Sequence, residues 1–375
     1  MAKLLKLGKE ASDPAGKPPR ERVARDWVKL RQRLLAWYEG NRRDLPWRRT
    51  RDPYAIWISE IMLQQTRVAA VVDRYEAFLQ RFPTVRALGR AEEAEVLALW
   101  SGLGYYRRAR MLHRAAQVVV SDLDGVMPGT AAGLRELPGI GAYTSAAIAS
   151  IAYGEPLAVV DGNVERVVQR LAGWGSELPR GQAKLAQEIV QMAGALLDPV
   201  RPGDFNQAMM ELGATVCLPR NPQCLTCPIY AHCRTRGEHP TPKRARMRSE
   251  DAAYALVIRS DRANPQASPE VLLVQRAAAE TVMTGMWELP ALLEARVPQA
   301  RVRLTVRHAI MQVNYAVRIR SVLEEEVESL AVASGHRQWV RVCDLESLPL
   351  TGLARKVLLR SRLAELGPHG PVLGQ

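Results

Sequence analysis

No run of 18 apolar residues occurs anywhere in the 375-residue chain, so the sequence offers no membrane-spanning helix. The opening stretch MAKLLKLGKEASDPAGKPPRE is charged and lacks an apolar core, which argues against a secretory signal. These two absences predict a soluble cytoplasmic protein with no membrane partner. Cysteine is scarce, and four of the five residues are packed between 217 and 233, which excludes a secreted disulfide scaffold. No internal repeat is visible, so a repeat architecture is excluded. Acidic residues are outnumbered, 39 against 52 Lys+Arg, and the resulting charge of +13 points to a polyanionic partner.

What is present can build real cores. Apolar residues make up 47% of the chain, and its length suits two or three domains. Residues 1–20 mix Lys, Pro, Gly and Asp without periodicity and read as a disordered basic tail. Helical spacing then places Val23, Trp27, Leu30, Leu34 and Trp37 on one face of a helix from Glu21 to Tyr38. Further helices are expected over Tyr54–Thr66, Val68–Phe82, Glu92–Trp100, Ala142–Ala152, Gly162–Trp174 and Gln182–Leu197, with another opening at Phe205.

Several stretches carry candidate chemistry. In Leu137-Pro138-Gly139-Ile140-Gly141 the proline fixes φ and the glycines permit angles that a β-carbon would block. Amides of such a turn at a helix start form a phosphate site, although an ordinary tight turn has the same text. Asp161, by itself, reads as the N-cap of the helix that follows. Glu60 is an acid inside an apolar helix; facing a closed pocket, its proton would be held by desolvation. Ser101-Gly102-Leu103-Gly104-Tyr105-Tyr106-Arg107-Arg108 suits a wedge that unstacks bases beside phosphate contacts. Cys217, Cys224, Cys227 and Cys233, spaced C-x6-C-x2-C-x5-C, predict a metal site, with zinc or an iron–sulfur cluster both open on residue type alone.

From Thr235 to about Glu250 the text is a basic linker. Composition then turns to β, with strands expected at Ala253–Ile258, Val271–Val274, Val302–Val306, Val313–Ile319 and Trp339–Val342 and a last helix near Leu353–Leu366.

The stretch Leu137–Arg166 resembles the helix-hairpin-helix and following aspartate of the endonuclease III superfamily of DNA glycosylases. Its detailed text is most similar to the adenine DNA glycosylases, the MutY family. The resemblance runs over roughly residues 22–365 and is strengthened by SEIMLQQT (Ser59–Thr66), GLGYY and the cysteine spacing. It implies a multidomain fold: an all-α helix-hairpin-helix glycosylase domain with an iron–sulfur loop over 21–234, a linker over 235–251, and an α+β Nudix-like domain over 252–368. It makes Glu60 the general acid and Asp161 the carboxylate that stabilises the oxocarbenium-like sugar, with Asn163 and Tyr143 orienting them. Trp47, Arg48, Leu63 and Gln64 would line the base pocket, Gln65 would fill the gap in the duplex, Tyr105 would intercalate, and Gln207 would contact adenine. Amides of Gly139 and Gly141 would hold phosphate, joined by Arg220. The four cysteines would carry a 4Fe-4S cluster, structural and DNA-sensing.

The implied activity is removal of adenine mispaired with 8-oxoguanine or guanine in double-stranded DNA, by a monomeric, nucleoid-associated bacterial-type enzyme. One departure stands out. Where the family carries Phe-Ser-His to recognise 8-oxoguanine, this chain has Ile310, Met311 and Gln312, leaving Gln312 as the polar candidate. The glutamate-rich box of Nudix hydrolases is also missing, which argues against nucleotide hydrolysis. Two rivals differ in class. A bifunctional endonuclease III-type lyase needs a lysine where Tyr143 stands, and a non-catalytic iron–sulfur sensor would not need both Glu60 and Asp161.

Overall fold

The computed structural model describes residues 19–174, 182–239, 247–260, 264, 266–277, 280, 282–293, 301–310, 312–329 and 335–363. Eleven α-helices come first in the chain among these residues. They are α1 (Pro19–Asn41), α2 (Pro53–Leu63), α3 (Val68–Arg81), α4 (Val85–Gly89), α5 (Glu93–Leu99) and α6 (Arg107–Asp122), followed by α7 (Ala131–Arg135), α8 (Ala142–Ala152), α9 (Gly162–Ala172), α10 (Gln182–Leu196) and α11 (Pro202–Thr215). Six strands follow: β1 (Arg248–Arg259), β2 (Glu270–Gln275), β3 (Trp287–Glu288), β4 (Val302–Ile310), β5 (Val313–Val322) and β6 (His336–Arg341), and α12 (Gly352–Arg360) closes the described chain. No helix among the described residues is long and apolar enough to cross a membrane.

The chain divides into two units, Met1–Arg43 with Gly154–Thr241, and Asp44–Tyr153 with Pro242–Gln375. In the first, α1, α9, α10 and α11 enclose a core around Leu34, Tyr38, Val168, Ile189, Phe205 and Leu212. The first helix starts at Pro19, so the tail expected to be disordered reaches at most to residue 18, and that part lies outside the described residues. Glu211 has a fully buried side chain on α11, and Arg43 at the end of this unit's first segment grips it through Nε (2.8 Å) and Nη2 (2.7 Å). A buried carboxylate is tolerated only with such a partner.

The second unit holds α2–α8 and the sheet. Nine of the eleven residues of α2 are buried, so this helix is enclosed on all sides rather than amphipathic. The sheet order is β3-β2-β1-β5-β4, with β6 also paired to β2. β1 and β5 run parallel, and the remaining pairs are antiparallel. One face packs Leu256, Val306, Val317 and Ile319 onto α12 through Leu353, Val357 and Leu358. β1 opens at Arg248, inside the stretch read as linker, because its first residues find partners along β5 from Val313 onward.

Candidate active site

Asp52 caps α2 by accepting from the Tyr54 amide at 3.1 Å, with Pro53 at the first helical position. That start sets the turns on which Glu60 falls inside, at 6% exposure. The hydroxyl of Tyr143 donates to Glu60 Oε2 at 2.7 Å. Tyr143 is the second residue of α8, so the glycine hairpin that launches α8 also delivers the phenol to the buried acid. Gly139 is required on two counts: its φ is +78°, and a Cβ there would stand 2.7 Å from Met111 Cβ. Gly141 does not need special angles, contrary to the sequence reading. Its φ is −91°, ordinary extended backbone, and it is the N-cap of α8 with open space around it. The first amides of α8 lack helical partners there.

A cleft of about 400 Å³ brings Gln64, Gln65, Tyr105, Arg107, Pro138 and Gly139 together. The expected helix through Thr66 stops instead at Leu63, because Gln64 takes ψ 113° and Gln65 takes φ +57°. Gln64 is tied down by a bond from Nε2 to Thr144 Oγ1 at 3.2 Å, whereas Gln65 is exposed. Tyr105 is 56% exposed and also left-handed, at φ +49°. Leu63 is half-buried. Trp47 is buried edge-on to Tyr75, 5.4 Å between ring centres, and Arg48 beside it is half-buried.

Arg108 departs from the phosphate-contacting position read from the sequence. It turns inward and donates to the carbonyls of Ile61 (2.6 Å), Met62 (3.2 Å) and Gln64 (2.5 Å) through Nη1. Through Nη2 it reaches Thr66 Oγ1 (3.1 Å), Leu103 O (3.2 Å) and Gly104 O (3.2 Å). The carbonyls at the end of α2 have no helical donors, and the guanidinium supplies them. Burial brings Arg108 down to about 10.

In the other unit, Asp161 is the N-cap of α9. Its Oδ1 accepts from the amides of Asn163 (2.9 Å) and Val164 (2.7 Å), and its Oδ2 from Asn163 Nδ2 (2.9 Å). The capping reading is therefore correct, and the same bonds fix the orientation of the carboxylate. Asn163 is held in turn by Arg166 Nη2 at 2.9 Å. Arg166 also donates to Gly213 O (2.6 Å) and Cys217 O (2.8 Å), and burial holds its pKa below the ordinary arginine value. A Cβ at Gly213 would lie 2.6 Å from Asn163 Cβ. Sequence reasoning missed Arg166 and Gly213; the signals were the i, i+3 spacing from Asn163 and a glycine inside a helix. Gln207 is half-buried on α11 and its Oε1 accepts from Tyr38 OH at 3.2 Å.

The four clustered cysteines are reduced and half-buried. Two short 3₁₀ turns, Cys224–Thr226 and Tyr230–His232, each end at the next cysteine, where Cys227 N and Cys233 N bond back to Cys224 O (3.2 Å) and Tyr230 O (3.1 Å). Burial, reinforced by the other three thiols, pushes Cys227 up to about 11. Arg170 Nη1 donates to Cys217 Sγ at 3.3 Å, and Arg236 N to Cys233 Sγ at 3.4 Å. The donor set therefore suits a group that binds thiolates, because these thiols share one neighbourhood and receive N–H donors. As the side chains lie, no three metal-ligating groups among the described residues form a ready-made ion site. Arg220, in the loop after Cys217, is exposed.

In the sheet region, Gln312 is exposed at the β4–β5 turn, beside a cleft of about 500 Å³ that also includes Tyr254, Arg276, His308, Ile310 and Tyr315. Met311 lies outside the described residues. Burial lowers the pKa of His308, and nearby Lys356 lowers it further.

Residues 58–192 match the family described as HhH-GPD superfamily base excision DNA repair protein. The human adenine DNA glycosylase is 49% identical over 216 residues, covering 55% of this chain and 39% of the human protein. The adenine DNA glycosylase of Mycolicibacterium smegmatis is 46% identical over 205 residues, covering 54% of this chain and 68% of its own. The chain thus spans well under two thirds of the human relative and about two thirds of the mycobacterial one. A solved thermostable thymine-DNA glycosylase superposes with a TM-score of 0.52 at 31% identity, covering 57% of this chain and 98% of its own. The helical part therefore has the helix-hairpin-helix glycosylase fold, and a sheet-containing region follows it.

Proposed function

The chain belongs to the adenine DNA glycosylase family, and from that premise we propose that it is a monofunctional glycosylase removing adenine mispaired with 8-oxoguanine or guanine in duplex DNA. The observation that carries this reading is the buried Glu60 carboxyl held by the Tyr143 phenol at 2.7 Å. It is a buried carboxyl oriented by a tyrosine where a lyase would carry a lysine.

The adenine must leave the stack before the scissile bond can be reached. Tyr105 and Gln65, exposed and in left-handed conformations on one cleft, are suited to fill the space it vacates. Glu60 then protonates the base at N7. The C1′–N9 bond breaks, its electron pair leaves with the neutral adenine, and positive charge develops on the sugar. Asp161, oriented by its cap bonds and by Asn163, stabilises that charge until water adds at C1′, and the proton that the water releases restores the one Glu60 gave up. The hairpin amides of Gly139 and Gly141 hold backbone phosphate, joined by Arg220, so binding weakens steeply with salt. Trp47, Arg48, Leu63, Gln64 and Gln207 shape the environment of the base.

Cys217, Cys224, Cys227 and Cys233 would hold a 4Fe-4S cluster, which supplies a fixed scaffold for the loop rather than the chemistry of bond cleavage. The sheet region is read as Nudix-like, with Gln312 facing the base opposite adenine. We place the enzyme as a cytoplasmic monomer on chromosomal DNA.

Single-turnover adenine release from two duplexes, one pairing adenine with 8-oxoguanine and one with guanine, tests the reading. Release from both is expected, without a borohydride-trapped adduct. A strong preference for 8-oxoguanine assigns lesion recognition to Gln312 and its neighbours, whereas equal rates make the enzyme a general adenine-mismatch glycosylase. Release from neither duplex sinks the enzymatic reading in favour of a sensor. An iron–sulfur absorbance band would separate the cluster from zinc.

A further inference from the structure

The loop that carries Tyr105 is held in an unfavourable backbone conformation. Gly102, Gly104 and Tyr105 all have positive φ, at +97°, +69° and +49°. A non-glycine residue stays in that region only when its surroundings over-determine it. Part of the restraint is local: Trp100 Nε1 donates to Gly104 O at 3.1 Å, and Arg108 donates to the same carbonyl. The rest comes from far away in sequence. The two hydroxyls that flank the loop, Ser101 Oγ and Tyr106 OH, both donate to one buried carbonyl, Leu350 O, at 3.3 and 3.0 Å.

Leu350 is presented rigidly. It is 1% exposed and sits between Pro349, whose carbonyl accepts from Trp287 N at 2.9 Å, and Thr351, whose amide donates to Trp287 O at 2.9 Å. Thr351 caps α12 by accepting from Ala354 N at 3.1 Å, and its hydroxyl donates to the buried Glu288. The carbonyl that receives both loop hydroxyls is thus fixed by a strand and a helix of the sheet region.

We propose that the sheet region takes part in opening the base stack: through Leu350 it braces Ser101 and Tyr106, which act as positioning residues for Tyr105. This rests on the reading of Tyr105 as the residue that enters the duplex. The brace explains how an exposed aromatic keeps a left-handed backbone in the absence of DNA. It also gives the C-terminal region a role in flipping that is separate from reading the opposite base.

The test uses the full-length chain and duplexes carrying a fluorescent adenine analogue beside the mispair, whose emission rises on unstacking. Ser101→Ala combined with Tyr106→Phe is expected to lower both the unstacking signal and single-turnover release about tenfold. Binding to undamaged duplex should stay within about twofold, since its phosphate contacts are untouched. In a Tyr105→Ala background the same pair of changes should have no further effect, because they act through Tyr105. Wild-type unstacking by the pair variant, or effects that multiply in the Tyr105→Ala background, would overturn the brace. No change on Tyr105→Ala alone would instead remove Tyr105 from the duplex, and the proposal with it. Tyr106→Phe alone, with Ser101 still bonded to Leu350, provides the gentler variant and should give an intermediate loss; unaltered unstacking in a folded single variant also counts against it.

Discussion

The hydroxyl of Tyr143 donates a 2.7 Å hydrogen bond to the buried carboxyl of Glu60, across 83 positions of sequence. One residue comes from the first turn of the helix after the hairpin, the other from a helix enclosed on all sides, so turn geometry and acid placement are mechanically linked. Replacing Glu60 by Gln should cut adenine release by about 100-fold or more while leaving mispair binding intact. Tyr143→Phe removes one bond to the acid and should cost about tenfold, the equivalent of roughly 1.4 kcal/mol. Single-turnover kinetics on a saturated duplex measure both, and an unaltered rate in Tyr143→Phe would strip the phenol of its role.

Arg166 joins Asn163, the partner of Asp161, to the carbonyls of Gly213 and Cys217. Arg166→Gln should therefore lower release about tenfold or more by loosening Asn163, and it should also loosen the cysteine loop. Asp161→Asn, which leaves the cap largely in place, should abolish release with mispair binding retained. The prediction fails if Arg166→Gln changes neither turnover nor the protease sensitivity of the loop around Cys217.

Gly139→Ala places a Cβ 2.7 Å from Met111 Cβ on a backbone at φ +78°. The hairpin must shift, and its amides with it. DNA affinity should fall, and the slope of log K against log salt should shrink by about 0.9 for each phosphate the hairpin no longer holds. Met111→Ala in the same chain should recover little of the affinity, because alanine keeps the Cβ that is met at 2.7 Å and the positive φ remains. Full recovery would mean that neither this Cβ contact nor the backbone angle requires glycine.

Burial lifts the carboxyl of Glu288 to about 7 from an ordinary 4.5, against the pull of Thr351, the Leu289 amide and nearby Arg276. Tyr254 is a further titratable group near it. The folded state keeps this proton up to about pH 7, whereas the unfolded chain loses it near 4.5. The stability it contributes is full below about pH 4.5 and is lost as pH rises through about 7. Between about pH 5 and 8, melting temperature should fall by less in Glu288→Gln, which carries no titratable proton at this site. Parallel wild-type and variant curves would show that Glu288 ionises normally.

Local chemistry was legible in the chain itself. The Pro-Gly-x-Gly text announced a tight turn before a helix, Asp161 announced a cap, and alternating Val and Ile announced the strands, because each depends on neighbours within a few residues. The glutamines at 64 and 65 show where that ends. Both suit a helix, yet α2 stops at Leu63, since Arg108 takes up its last carbonyls and Gln65 is held at positive φ. Sequence period says which face of a helix turns inward; it does not say which donor will meet which acceptor there. The inward turn of Arg108, the Arg166 link to Cys217 and the Leu350 carbonyl that receives Tyr106 from 244 positions away were decided by the path of the chain. Buried polar groups must find partners wherever that path delivers them, and only the tertiary structure fixes where that is.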